Sequence, residues 1–153
     1  MASEISSMVF IQYLTTVFDN IHDAILLIGV EPNNTYRLLM ANEEFNRGTG
    51  HTAVEIGKTI QQVTLPKTYE KLIKRYQTVV KSKKRHEFIE EYDVPMGKQT
   101  YEVQLIPIFN SVGTCTQIAC ITRNITELYR LQERLKETAE TLEQVSHELR
   151  QTI

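Results

Sequence analysis

Apolar positions along this 153-residue chain change their spacing several times, and each spacing predicts an element. Ile5, Met8, Val9, Leu14, Val17, Phe18 and Ile21 fall near helical intervals, predicting an amphipathic helix from about Ser6. Its apolar face needs a cover, either the domain that follows or a second copy of itself. Ala24 to Val30 is a short apolar run stopped by Glu31-Pro32-Asn33-Asn34, a buried strand and a turn. Tyr36 to Ala41 returns as the second strand of a hairpin. From Asn42 the pattern breaks into short helical and loop pieces around Gly48, Gly50 and Gly57, which reads as a wrapped connection. Leu65-Pro66 opens a clearer helix, with Tyr69, Leu72, Ile73, Tyr76, Val79 and Val80 inward and Lys67, Lys71, Lys74 and Lys81 outward. Three strands follow, His86 to Val94, Thr100 to Phe109 and Thr114 to Ile125. They are divided by Pro95-Met96-Gly97-Lys98 and Asn110-Ser111-Val112-Gly113, both good turn chemistry. In Tyr101 to Leu105 apolar and polar residues alternate, so one face is buried and the other wet.

The last thirty residues follow a different rule. Leu128, Leu135, Leu142 and Leu149 stand at a, and Leu131, Thr138, Val145 and Thr152 at d, of a heptad filled out by Glu, Lys, Arg and Gln. With neither Pro nor Gly, this predicts one helix of roughly 40 Å, longer than a domain of this size needs for its own core. The stripe is narrow, as a seam with a partner helix would be. Two strands, a helical connection and three strands, with a helix at each end, make an α+β domain.

Composition changes this picture little. The chain is 41% hydrophobic and 24% charged with a net charge of −2, which suits one globular domain and gives no basic face for nucleic acid. The one basic run, Lys81-Ser82-Lys83-Lys84-Arg85, falls where a helix should end and reads as a solvated turn. Cys115 and Cys120 are five apart in a strand, so they are expected on opposite faces and unpaired. Two free thiols suit a reducing compartment, and no run is long enough to span a membrane, so a cytoplasmic location is expected.

Particular residues resemble the PAS family. Ala41-Asn42-Glu43-Glu44-Phe45 resembles the Asn-x-x-Phe step that leaves the second PAS strand. Thr49-Gly50 followed by Glu55-Ile56-Gly57-Lys58 is similar to the family's Thr-Gly and Glu-Ile-Gly-Lys run. Asn124-Ile125-Thr126-Glu127 resembles the Asp-Ile-Thr-Glu signature between the last strand and an output helix, with Asn124 replacing the aspartate of the family's salt bridge. The asparagine retains the means to cap that helix. The resemblance covers about residues 18–127. It implies a five-stranded antiparallel sheet with helices on one side, a PAS domain over 22–125, an N-terminal helix over 1–21 and a signalling coiled-coil helix over 126–153. Asn124, Ile125 and Thr126 would then transfer the signal.

Ser146-His147-Glu148-Leu149-Arg150 resembles the H-box of sensor histidine kinases, with Thr152 in place of its proline. The resemblance makes His147 the phosphoacceptor. With Leu142 at a and Val145 at d, His147 lies at f, the outermost position, and Glu148 beside it is placed for general-base work. Leu128, Leu131, Leu135, Leu142, Val145 and Leu149 would form the seam of a parallel homodimer. The plain alternative leaves His147 an ordinary surface residue of a coiled coil. No glycine-rich nucleotide loop is present, so the chain is expected to be the sensory and signal-transfer segment of a larger kinase. Its partners would be that kinase's ATP-binding domain and a response regulator. A non-catalytic PAS module feeding another output, such as a diguanylate cyclase, is the competing reading.

No cofactor is evident. Haem would want a histidine on the central helix, and residues 66–80 have none. Flavin photochemistry would want a cysteine in residues 42–60, which also have none. His22, His51 and His86 are too scattered for a metal site. A small-molecule ligand near Tyr69 and Tyr76, or a packed and empty core, both stay open.

Overall fold

The computed structural model describes residues 7–10, 12–14, 16–17, 22–49 and 55–152. Its elements run β1 (Ala24–Glu31), β2 (Thr35–Ala41), α1 (Glu43–Thr49), α2 (Ile60–Val63), α3 (Pro66–Ser82), β3 (His86–Val94), β4 (Gly97–Phe109), β5 (Cys115–Asn124) and α4 (Thr126–Thr152). The strands form one antiparallel sheet in the order β2-β1-β5-β4-β3. This is the expected five-stranded α+β arrangement with a long C-terminal helix. The described positions between 7 and 17 are helical, and Met8, Val9, Leu14 and Val17 lie exposed, so the apolar face of this segment is uncovered within one chain. Ile5, Phe18, Ile21, Gly50, His51 and Ile153 lie outside the described residues.

Local chemistry explains the turns. Asn33 and Asn34 take the left-handed conformation that the β1–β2 turn requires, and asparagine tolerates it. Lys83 does the same at the C-terminus of α3, its N–H reaching the Val79 carbonyl at 2.9 Å. The basic run therefore ends a helix as expected, and Arg85 turns to Glu87 and Gln104. The β3–β4 turn needs only Pro95 and Met96, because Gly97, at φ 108°, already pairs with Val94. β4 thus begins three residues before the expected Thr100. Residues 55–58 lie along the free edge of β2, where Leu38 N–H donates to the Lys58 carbonyl and Gly57 N–H to that of Leu38. The wrapped connection covers an edge that would otherwise be open to pairing.

The cysteine expectation is corrected. Cys115 and Cys120 are free, but both lie in the core on the same side of the sheet. Ile108 pairs with Gln117 while its neighbour Phe109 pairs with Cys115, so Thr116 is an extra residue. This bulge reverses the alternation and brings an odd-spaced pair onto one face. They remain about 15 Å apart along the strand, too far to join.

The core fills the space between the sheet and α3, with Ile28, Leu38, Tyr76, Val79, Leu105 and Ile118 its most enclosed members. A buried polar residue, Asn42, closes the start of the domain. Its Oδ1 accepts from Ile25 N–H at 2.9 Å and its Nδ2 donates to the Asp23 carbonyl at 2.8 Å. Asn42→Ala leaves two inward-facing backbone groups without partners, so chemical denaturation should report a loss of about 2–4 kcal/mol.

Candidate functional site

Two features carry the candidate chemistry: the junction between β5 and α4, and the space beneath α3. At the junction a single residue, Ile125, separates strand from helix, and its N–H donates to the Thr100 carbonyl at 2.9 Å. Thr126 is buried. Its Oγ1 accepts from Thr100 N–H at 2.8 Å and donates to Asn124 Oδ1 at 2.6 Å. Asn124 Oδ1 also accepts the Thr126 N–H at 3.0 Å, which satisfies a helix-terminal donor. Asn124 Nδ2 reaches Gln99 Oε1 at 3.2 Å, so this asparagine caps as expected and adds a bond no carboxylate donates. The three proposed transfer residues are thus brought together against β4. The neighbouring Arg123 forms an ion pair instead, with Asp23 at 3.0 Å.

Past its first turn α4 leaves the domain. Leu128, Leu131, Leu135, Leu142, Val145 and Leu149 lie along one stripe, all between 46% and 69% exposed. His147 is exposed on the opposite face, by its spacing from Leu142 and Val145, and its Nε2 lies 3.1 Å from Gln151 Nε2. Among the described residues no hydrogen bond joins the Glu148 carboxylate to His147. Thr152 continues the helix where proline would have interrupted it, and its hydroxyl donates to the Glu148 carbonyl.

Beneath α3 lies a partly open cavity of about 80 Å³, whose wall is nearly all carbon. Leu26, Leu72, Tyr76, Tyr92, Val103 and Cys120 are among its lining. The Tyr36 and Tyr76 rings meet at 5.0 Å and those of Tyr92 and Tyr101 at 6.1 Å. One flank is held from outside: Arg75 pairs with Glu90 at 3.0 Å and lies 4.0 Å over the Phe88 ring, while Tyr92 donates its hydroxyl to Glu90. Burial pushes the Tyr101 hydroxyl up to about 12 and the Cys120 thiol up to about 11. It also raises Tyr36, Tyr76 and Tyr92, the last further raised by the Glu90 carboxylate. Tyr69, read as a pocket candidate, packs partly buried against the core but does not line the cavity.

Thr68 was not singled out from sequence. Asn42 stood in the Asn-x-x-Phe step and Gln151 at the position three beyond Glu148, but the hydrogen bonds that each makes were not read there. Among the described residues no His, Cys, Asp and Glu group is arranged to hold a metal ion, and no helix is long and apolar enough to cross a membrane.

A sequence model of the PAS fold matches residues 18–130. That is well over half of the chain, and the chain belongs to the PAS family, whose domains are sensory modules of signal transduction. No curated protein matches it. Among solved structures it is similar to an RNA-binding light-oxygen-voltage receptor, with a TM-score of 0.65 and 21% identity over 92% of this chain; it spans 40% of that receptor. It is also similar to a PAS domain from Colwellia psychrerythraea, with a TM-score of 0.62 and 17% identity over 77% of this chain and 98% of that one. A third is a sensory box histidine kinase/response regulator from Burkholderia thailandensis, with a TM-score of 0.58 and 12% identity over 88% and 98%. At these identities the likeness is one of fold.

The raised hydroxyls and thiol make a test by pH. The fold holds their neutral forms, so the stability they add is complete below the ordinary values of 9.0 for the thiol and 10.0 for the phenols. It is lost as pH rises through the raised values. Thermal melts taken from about pH 8 to about pH 12 should show the midpoint falling from about pH 9 and steeply above pH 10. A midpoint unchanged across that range would contradict the burial described.

Proposed function

We propose that this chain is the sensory and signal-transfer segment of a two-component sensor histidine kinase, acting in the cytoplasm as a parallel homodimer. The observation that carries this reading is Ser146-His147-Glu148-Leu149-Arg150 on a helix unbroken from Thr126, with His147 exposed on the side away from the leucine stripe. The stripe accounts for the dimer: several leucines of α4 rest in water in one chain, and burying each is worth about 1.5–3 kcal/mol. Thr138 and Thr152 at d loosen the seam, which suits a helix pair that changes arrangement.

His147 is the phosphoacceptor. Its unprotonated ring nitrogen bonds to the γ-phosphorus of ATP as the bond from that phosphorus to the bridging oxygen of the ADP leaving group breaks. Glu148 takes the ring proton. The ATP-binding domain of the parent protein presents the nucleotide, and a response regulator receives the phosphoryl group. The signal arrives through Asn124, Ile125 and Thr126, because a shift of β4 or β5 must tilt or turn a helix fastened to Thr100.

Incubating the full-length parent with labelled ATP should place acid-labile phosphate on His147. In His147→Gln the label should vanish while sedimentation still reports a dimer; label that survives this change puts the acceptor elsewhere. One residue inserted after Thr126 turns the helix by about 100° and should alter kinase output several-fold. Output indifferent to that insertion would reduce the PAS domain to a spacer.

A further inference from the structure

α3 and α4 each carry a charged stripe on the face that meets solvent, and the two stripes are opposite in sign. On α3, Lys67, Lys71, Lys74, Thr78 and Lys81 recur at steps of four and three, turned away from the buried Thr68, Tyr76 and Val79. All four lysines are exposed, and Glu70 is the one acidic residue of that helix. Lys71 reaches the Glu91 carbonyl, and among the described residues none of the four is paired with a carboxylate.

On α4, Glu133, Glu137, Glu140, Gln144 and His147 recur at the same steps, on the face opposite the leucine stripe. Glu143 and Glu148 flank them, and no lysine or arginine stands between Glu137 and Leu149. These glutamates are exposed, and among the described residues no carboxylate of α4 forms an ion pair. Each stripe covers about 21 Å of helix. Like charges at these spacings repel along a helix, so each stripe is more stable beside the other than alone.

We propose that the lysine face of α3 is the docking surface for the acidic outer face of α4 from a second copy of this chain, and that two dimers joined at α4 lock together through such contacts. A chain cannot satisfy its own lysines, because α4 runs unbroken from Thr126 to Thr152 and leads away from the domain. In a parallel pair both domains sit at one end, so the partner within the pair cannot supply the contact either. Two pairs laid side by side and head to tail bring each acidic face beside a lysine face of the other pair, and that arrangement closes on itself. Exposed ion pairs are individually weak, so the lock forms at low ionic strength and parts in salt. The pairing within each dimer rests on the reading above; the match of charge does not. His147 lies in the docked face, so the assembly keeps the proposed phosphoacceptor covered.

The test is sedimentation of the whole chain, Met1 to Ile153, at about 100 µM, a range in which weak contacts register. The expected species is a tetramer at about 10 mM salt, where charges act over about 30 Å, and a dimer at about 1 M, where they act over about 3 Å. One variant reverses α3 (Lys67→Glu, Lys74→Glu and Lys81→Glu), and another reverses α4 (Glu133→Lys, Glu137→Lys and Glu140→Lys). Each alone should stay a dimer at low salt, with affinity between dimers down at least ten-fold. Mixing the two should restore the tetramer, since every contact then joins a lysine stripe to a glutamate stripe. At low salt, diethyl pyrocarbonate should modify His147 several-fold more slowly in the native chain than in the α3 variant. A mass independent of salt, a tetramer that survives either reversal, a mixture that stays dimeric, or equal rates at His147 would each overturn the proposal. A lysine face that serves an anionic lipid surface or a nucleic acid instead leaves the native chain dimeric at low salt and gains nothing from mixing. Should a triple reversal not fold, Lys74→Glu and Glu140→Lys answer the same question, with affinity falling about two- to five-fold and recovering in the mixture. A monomer at high salt would count against the α4 dimer alone, with reversal and mixing still deciding the docking. No readout involves phosphate on His147, so the kinase assignment stands or falls separately.

Discussion

The hydroxyl of Thr126 is the point on which the molecule turns. It accepts from the Thr100 N–H and donates to Asn124, so one buried oxygen joins the middle of the sheet, the end of β5 and the first turn of α4. A helix of about 40 Å is attached to the domain here, by this hydroxyl and by the Ile125 N–H bonded to the Thr100 carbonyl, while the leucine stripe beyond the first turn lies exposed. Both hydrogen-bonding roles of the hydroxyl are taken up by β4 and β5.

β5 sits between β1 and β4, and its residues are bonded on both sides. α3 rests on the sheet through Tyr76 and Val79 and is tied at its flank by Arg75 to Glu90. Its first turn lacks a side-chain cap and is bonded to the end of β3 through Thr68, whose hydroxyl donates to the Asp93 carbonyl.

Periodicity made the scaffold legible from sequence. Alternation marked the strands, the spacing of Tyr69 to Val80 marked α3, and a heptad marked α4, because burial on one face imposes those periods. The placement of side chains across elements was harder to read. Thr116 looks like any strand residue, and only the pairing of Phe109 with Cys115 reveals the bulge that moved both cysteines inside. Asn42 stood within a recognisable step, yet its role depends on Asp23 and Ile25, nearly twenty residues earlier. Thr68 was passed over because a search for apolar positions ignores a threonine whose polar end finds a carbonyl on another element. The leucine stripe of α4 was visible as a pattern, and in the single chain it lies exposed.

The neighbouring positions of β1 and β5 bear on how such a domain is deployed along a longer chain. Ala24, the first residue of β1, pairs with Thr122, near the last of β5, and Arg123 clasps Asp23 across the same gap. Paired strands run about 5 Å apart, so the polypeptide enters and leaves the domain almost at one point. A module with adjacent ends is a detour that adds bulk to a chain without changing where its path resumes. It can be spliced into a helical shaft, removed or duplicated in tandem while the shaft on either side keeps its line.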